Sequence, residues 1–269
     1  MRLGWIVAVI GIAAVFVILH FVRRPSNRRN WSADQRVLAY AEFHAPLVDV
    51  HNIRLCTYRS ASDFTCSYYD KTFDLRQLDS VWFVVEPFGT SKGVAHTFVS
   101  FGFGGRDFLA MSVEIRKEQG ETYSPLRGLL REYELMYVVG DERDLIKLRT
   151  NYRHDQVYLY PIRTTPERMR RMFIEMLTRA NQLRDQPEFY NTLTSTCTTN
   201  IVCHVNTIVP GRVPFSLAIL LPGYSDRLAY RIGLIDTNLS FEAARERYHV
   251  NEWAERYADD PQFSARIRE

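Results

Sequence analysis

The sequence predicts an α+β domain behind one N-terminal transmembrane helix, and three observations carry that expectation. An apolar run opens the chain, strand-like stretches crowd its first two thirds, and helical periodicity takes over from about residue 165. The run "LGWIVAVIGIAAVFVILHFV" (3–22) holds one histidine and no full charge, which suffices for a helix to cross a hydrocarbon core of roughly 30 Å. It is apolar all round and lies at the extreme terminus, so it reads as a membrane span rather than a buried core helix. No A-x-A-like cleavage site follows it. The expected organisation is therefore a signal anchor over 1–24, a polar linker over 25–30, where Pro25, Ser26 and Asn27 discourage regular structure, and one domain over 31–269. Arg23, Arg24, Arg28 and Arg29 follow the span and only Arg2 precedes it. Taken alone, the positive-inside rule would keep the domain in the cytoplasm.

Strands are expected at 47–55, 80–88, 95–103, 107–116, 133–140 and 157–162, most of them rich in β-branched and aromatic residues. Their density argues for one antiparallel or mixed sheet. In "TTPERMRRMFIEMLTRANQLRD", Pro166 suits the first helical position, and Met169, Met172, Phe173, Met176, Leu177, Ala180 and Leu183 make one apolar stripe at helical spacing. A second helix should begin at or just after Cys197, with later ones in 224–233 and 240–260.

Of the 269 residues 46% are hydrophobic, enough for a substantial core. The 34 basic and 31 acidic residues are scattered, giving a net charge of +3 without a like-charge run; this speaks against a nucleic-acid partner. Cys56, Cys66, Cys197 and Cys203 form no C-x-x-C pair and have no histidine at zinc-ligand spacing, so neither a metal nor another cofactor is expected. Cys56 and Cys66 could close a small loop in an oxidising compartment. Cys203 and His204 read as packing or surface residues.

The stretch "HTFVSFGFGGRDFLAMSVEIR" sorts its side chains. Gly104–Asp107 offers a turn, odd positions are almost wholly apolar, and His96, Ser100, Ser112, Glu114 and Arg116 share the even face. If the sum of paired positions is even, His96 lies across from Glu114, where a carboxylate can orient an imidazole. The plainer reading is the solvated face of an edge hairpin. Cys197 stands among small hydroxyl residues ahead of a helix, where peptide dipoles favour a thiolate and the N–H groups of Cys197 and Thr198 can stabilise an oxyanion. The competing reading is a small, inert, buried thiol.

Several blocks, including "HTFVSFGF", "SVEIRKEQGETYSPLRGLLREYELMYVVGDERDLIKLRTNYR", "FYNTLTSTCTTNI" and the terminal "FSARIR", resemble the periplasmic domain at the N-terminus of the Lnb-type lipoprotein N-acyltransferases. The resemblance runs from about Trp31 to Arg268. It implies a circularly permuted papain-like cysteine hydrolase or acyltransferase fold, similar to lecithin retinol acyltransferase, in which the histidine precedes the cysteine. By this resemblance His96 becomes the general base and Cys197 the nucleophile; Glu114 and Arg116 match a polar motif of the domain, and the hairpin's even face makes Glu114 the orienter and Ser100, Ser112 and Arg116, with Thr198, candidates for substrate binding. The resemblance also implies a domain in the periplasm, a lipoprotein or phospholipid ester as substrate, the inner membrane as partner, and an acyl-thioester intermediate. Thr196 stands where the family usually has Asn, and the multi-span region that follows the domain in those enzymes has no counterpart in this sequence. Two further readings compete: a papain-like peptidase or amidase of the cell envelope, and a non-catalytic binding module on the same scaffold.

Overall fold

The computed structural model describes Trp5, Gly11 and residues 23–269. Apart from Trp5 and Gly11, the apolar run 3–22 lies outside the described residues, among which no helix is long and apolar enough to cross a membrane.

Eight strands make one mixed sheet: β1 (Tyr40–His44), β2 (Leu47–Tyr58), β3 (Phe64–Asp74), β4 (Leu78–Pro87), β5 (Ala95–Phe103), β6 (Asp107–Arg116), β7 (Glu134–Asp141) and β8 (Tyr158–Pro161). Their order is β1-β2-β7-β6-β5-β4-β8, with β3 on β2 as well. The β2–β7 pair is parallel, and the other pairings are antiparallel. Since β3 runs along one edge of β2, β1 and β7 must share its other edge, β1 at its start and β7 at Arg54. Two of these strands, β1 and β3, are absent from the sequence reading. The β3 segment "FTCSYYDKTFD" is mostly polar and half exposed, as an outer strand can be.

Helices follow the later strands: α1 (Pro125–Leu129), α2 (Glu142–Lys147) running into a π-helical turn (Leu148–Tyr152), α3 (Pro166–Asp185), α4 (Cys197–Ile208), α5 (Leu217–Leu220), α6 (Ser225–Arg231), α7 (Phe241–Arg247), α8 (Asn251–Arg256) and α9 (Phe263–Arg266). They cover both faces of the sheet. On one, the odd side chains Val99, Phe101, Met111, Tyr137 and Val139 pack against the apolar stripe of α3 and against Cys197 and Ile201 of α4. Phe173 of α3 sits edge-on to Phe101 and Phe103, and such contacts contribute about 1 kcal/mol each beyond area burial. On the other face, Val84, Phe98, Ala110 and Val138 meet Leu145 and Ile146 of α2, Ala254 of α8 and Phe263 of α9.

This second layer corrects the edge-hairpin reading. The β5–β6 hairpin is central, and Ser100 and Ser112 on its even face are fully buried. Its register is the even-sum one: Phe98 pairs with Ser112 and Val99 with Met111.

Residues 25–30 are tied to the domain. The Ser26 amide donates to Glu134, Asn27 Nδ2 donates to the carbonyls of Leu183 and Arg184, and Arg29 bridges Glu118 and Glu134. Cys56 and Cys66 face each other across β2 and β3 and are disulfide-bonded.

Candidate active site

Cys197 is the first residue of α4. Thr196 caps the helix: its hydroxyl accepts from the Thr199 amide at 3.2 Å, and the Thr199 hydroxyl accepts from the Thr196 amide at 2.7 Å. This reciprocal box takes care of two otherwise unpaired donors. The amides of Cys197 and Thr198 in the same first turn have no intrahelical acceptor, and the positive end of the helix dipole falls on the thiol.

His96 reaches the same thiol from β5. The β5–β6 ladder ends at the Phe98–Ser112 pair, so His96 lies just past it, where the start of α4 meets the sheet. Burial of Cys197 opposes its ionisation. The imidazole beside it, the hydrogen bond from His96 and those from Thr97 outweigh that cost and bring the thiol down to about 7. For His96 the balance is reciprocal: burial disfavours the imidazolium, but the adjacent Cys197 thiolate and, more weakly, Glu114 raise its pKa.

The protons on His96 follow from its other neighbours. Ser112 Oγ donates to Glu114 Oε1 at 2.8 Å, so it can only accept from His96 Nε2, 2.7 Å away. The carboxylate is 3.7 Å from that same nitrogen. Nε2 therefore carries a hydrogen, which leaves Nδ1 to face the thiol as acceptor in the neutral ring. Glu114 thus holds the imidazole chiefly through Ser112.

Glu114 is itself fixed. Burial alone would raise its pKa, but the Arg149 guanidinium, with His96 and Arg54, holds it well below the usual carboxylate range. Arg149 Nη2 donates to Glu114 at 3.1 Å, its Nε to Glu86 at 2.5 Å and its Nη1 to the Leu145 carbonyl at 2.7 Å, while the guanidinium lies over the Phe98 ring. It projects from the π-helical turn, a deformation that often re-aims side chains at functional sites.

The remaining sequence candidates occupy different places. Ser100 is fully buried and donates to Glu142, which also receives Arg268, so it has no surface to offer a substrate. Ser112 is equally buried and serves as the link between His96 and Glu114. Arg116 stacks on Trp31 and donates to the carbonyls of Gln35 and Arg36 and to Asn27, fastening the N-terminal segment. Thr198 points away from solvent, its hydroxyl 2.9 Å from that of Thr97. Cys203 is exposed, and His204 is buried with Nε2 2.8 Å from the Tyr137 hydroxyl.

Sequence reasoning missed Arg149, Tyr123 and Tyr190. The two tyrosines are hydrogen-bonded to each other and near enough to Cys197 for its charge to raise their pKa values further than burial already does. Nothing in the strand or helix pattern distinguishes these positions. No cluster of three or more metal-ligating side chains occurs among the described residues.

A mixed sheet layered by helices, with a thiol at a helix start and an imidazole on the central hairpin, defines a cysteine–histidine domain of the α+β class. The family described as the Lnb N-terminal periplasmic domain matches residues 64–223, a stretch that contains His96, Glu114, Arg149 and Cys197. The chain belongs to that family, and the matched region is a periplasmic domain. No curated protein and no solved structure matches the chain.

Proposed function

We propose that this domain is a cysteine-dependent acyltransferase or thiol hydrolase of the bacterial envelope, acting on a lipoprotein or phospholipid ester from a permuted papain-like arrangement held at the inner membrane by the span 3–22. The observation that carries the reading is the buried relay from Cys197 through His96 and Ser112 to Glu114. An inert core cysteine needs no such partners. The relay stores a proton on the imidazole and a negative charge on sulfur, the state from which an acyl carbonyl is attacked.

In the proposed cycle Cys197 Sγ bonds to the ester carbonyl carbon, and the N–H groups of Cys197 and Thr198 receive the developing oxyanion. His96 passes its Nδ1 proton to the departing alkoxide as the C–O bond breaks, leaving an acyl-thioester. An amine or a water then gives its proton to His96, attacks the same carbonyl, and the C–S bond breaks. A positively charged ring is tolerated in this buried place because Glu114 sits behind Ser112.

The test is intact mass analysis of the full-length protein after exposure to an activated long-chain ester such as p-nitrophenyl palmitate. A single acyl adduct on the peptide containing Cys197, removed by neutral hydroxylamine and missing in Cys197→Ala, is the expected result. Undiminished ester turnover in a folded Cys197→Ala variant would remove the proposal.

A further inference from the structure

Beside the thiol, but not including it, an apolar cavity of about 130 Å³ runs between α3, α4, α6 and the sheet. Its walls are Phe83 of β4, Met169 and Met172 of α3, Ile201 and Val205 of α4 and Leu228 of α6. It follows α4 from Thr198 to Val209, about 16 Å at 1.5 Å per residue. A closed volume of this size is close to that of cavities that accept a benzene-sized apolar guest, so it takes the terminal methylenes of one hydrocarbon chain while the rest of the chain lies in the open mouth.

The two ends differ in chemistry. At the inner end Thr198 lines the cavity, and its hydrogen bond to Thr97 stands between the cavity and the relay. Among the lining residues Arg163 and Arg168 are exposed and Arg212 is half-buried, so the mouth is cationic. Arg163 is paired with Asp236, whereas Arg168 and Arg212 have no carboxylate partner among the described residues. Phe215 and Leu217, on the segment after Arg212, are 82% and 67% exposed. An apolar slot with spare positive charge at its mouth, beside exposed apolar side chains, complements a single-tailed amphiphile with an anionic head.

We propose that this cavity is a second site, separate from the Cys197–His96 pair, that binds one single-chain anionic amphiphile. The tail lies along α4 and the carboxylate or phosphate head meets Arg168 and Arg212. The head is then at the end of the cavity remote from the thiol, so occupancy is not acylation and does not require Cys197.

Photo-crosslinking of the full-length protein in phosphatidylcholine nanodiscs, using palmitate carrying a diazirine near its methyl end, tests this. Labelling is expected toward the inner end, on α4 at Ile201 or Val202 and on α3 at Met172, with the same yield in Cys197→Ala. Arg168→Glu combined with Arg212→Glu should cut the yield at least fivefold. Val205→Trp should abolish it, with thermal melting confirming that the variant is folded. Competition identifies the head group: suppression by unlabelled palmitate alone indicates a fatty acid, and suppression by lysophosphatidylglycerol indicates a phospholipid product. Hexadecanol should compete at least tenfold more weakly than either. Absence of label from both helices, or label indifferent to the arginine substitutions in a folded variant, overturns the proposal. Either outcome is independent of the acyl-thioester test, because the Cys197→Ala protein serves for both.

Discussion

At Cys197 two opposed influences meet, and their balance is measurable. Burial favours the neutral thiol, while the imidazole and the hydrogen bonds from Thr97 favour the thiolate strongly enough to reach about 7. An unperturbed cysteine ionises near 8.5. The lowered value means that thiolate accumulates as pH rises through about 7, with half of the sulfur ionised there, and that the reactive fraction levels off only about one to two pH units higher. Alkylation of Cys197 by iodoacetamide should be half-maximal near pH 7 in the native protein. His96→Ala should move the midpoint alkaline by more than one pH unit, since the burial penalty remains and its main compensation is gone. An unchanged midpoint in that variant would mean that the ring does not act on the sulfur. Glu114 makes a second, opposite case. Its depressed carboxyl contributes stability that is complete above the unfolded value of about 4.3 and is lost as pH falls toward the folded value. Glu114→Gln leaves Arg149 with Glu86 as its remaining carboxylate contact, so at pH 7 it should cost about 3 kcal/mol in urea unfolding. That gap should narrow as pH drops below 5; a gap constant from pH 7 to 4 would contradict the charged assignment.

Among the elements, α4 is the one whose start decides the chemistry. Thr196 closes the capping box, and Thr and Asn are both good N-caps, so exchanging one for the other keeps the helix start intact. Thr196→Ala should lower stability by about 1 kcal/mol and lift the Cys197 alkylation midpoint as the first turn frays. Thr196→Asn should preserve both, and circular dichroism melts with the same pH titration would separate the two. The hairpin that supplies the histidine was legible from its alternation: the spans 95–103 and 107–116 and the even-sum register follow from period-two patterning, although the ladder stops at Phe98–Ser112, so His96 reaches Glu114 through Ser112 and not as a directly paired residue. Its surroundings were not. Alternating polarity is the signature of a half-buried strand, and it misleads here because these residues are polar for a different reason: Ser100 meets the buried Arg268–Glu142 pair, Glu114 meets Arg149, and Ser112 links Glu114 to His96. Those cations come from a π-helical turn and from the C-terminus, at distances along the chain that no local pattern encodes. Similarly, β1 and β3 escaped because outer strands need bury only one face, and "FTCSYYDKTFD" carries polar residues on the other.

Across the whole molecule, the N-terminal segment enters the domain close to the site. Arg23 pairs with Glu132, which also holds Arg127 of α1; on that helix Leu126 is 65% exposed, and Gly128 approaches Tyr190 and Thr192. The next residue after Thr192, Leu193, is 54% exposed and lies four positions before the nucleophile. Tyr123, near enough to Cys197 to sense its charge, is exposed as well. The rim of the thiol site and the point where the apolar run 3–22 joins the domain are therefore on one side of the molecule. If the run holds that side against a bilayer, Leu126, Leu193 and Tyr123 meet lipid first, and each buried leucine contributes about 2 kcal/mol toward seating the site on its substrate. Leu126→Glu combined with Leu193→Glu should then lower turnover of an ester embedded in vesicles at least tenfold. Turnover of a soluble short-chain ester should stay within twofold, because neither residue touches the relay. A parallel loss on both substrates would place the defect in the site itself, and no loss on either would show that this rim does not carry the membrane contact.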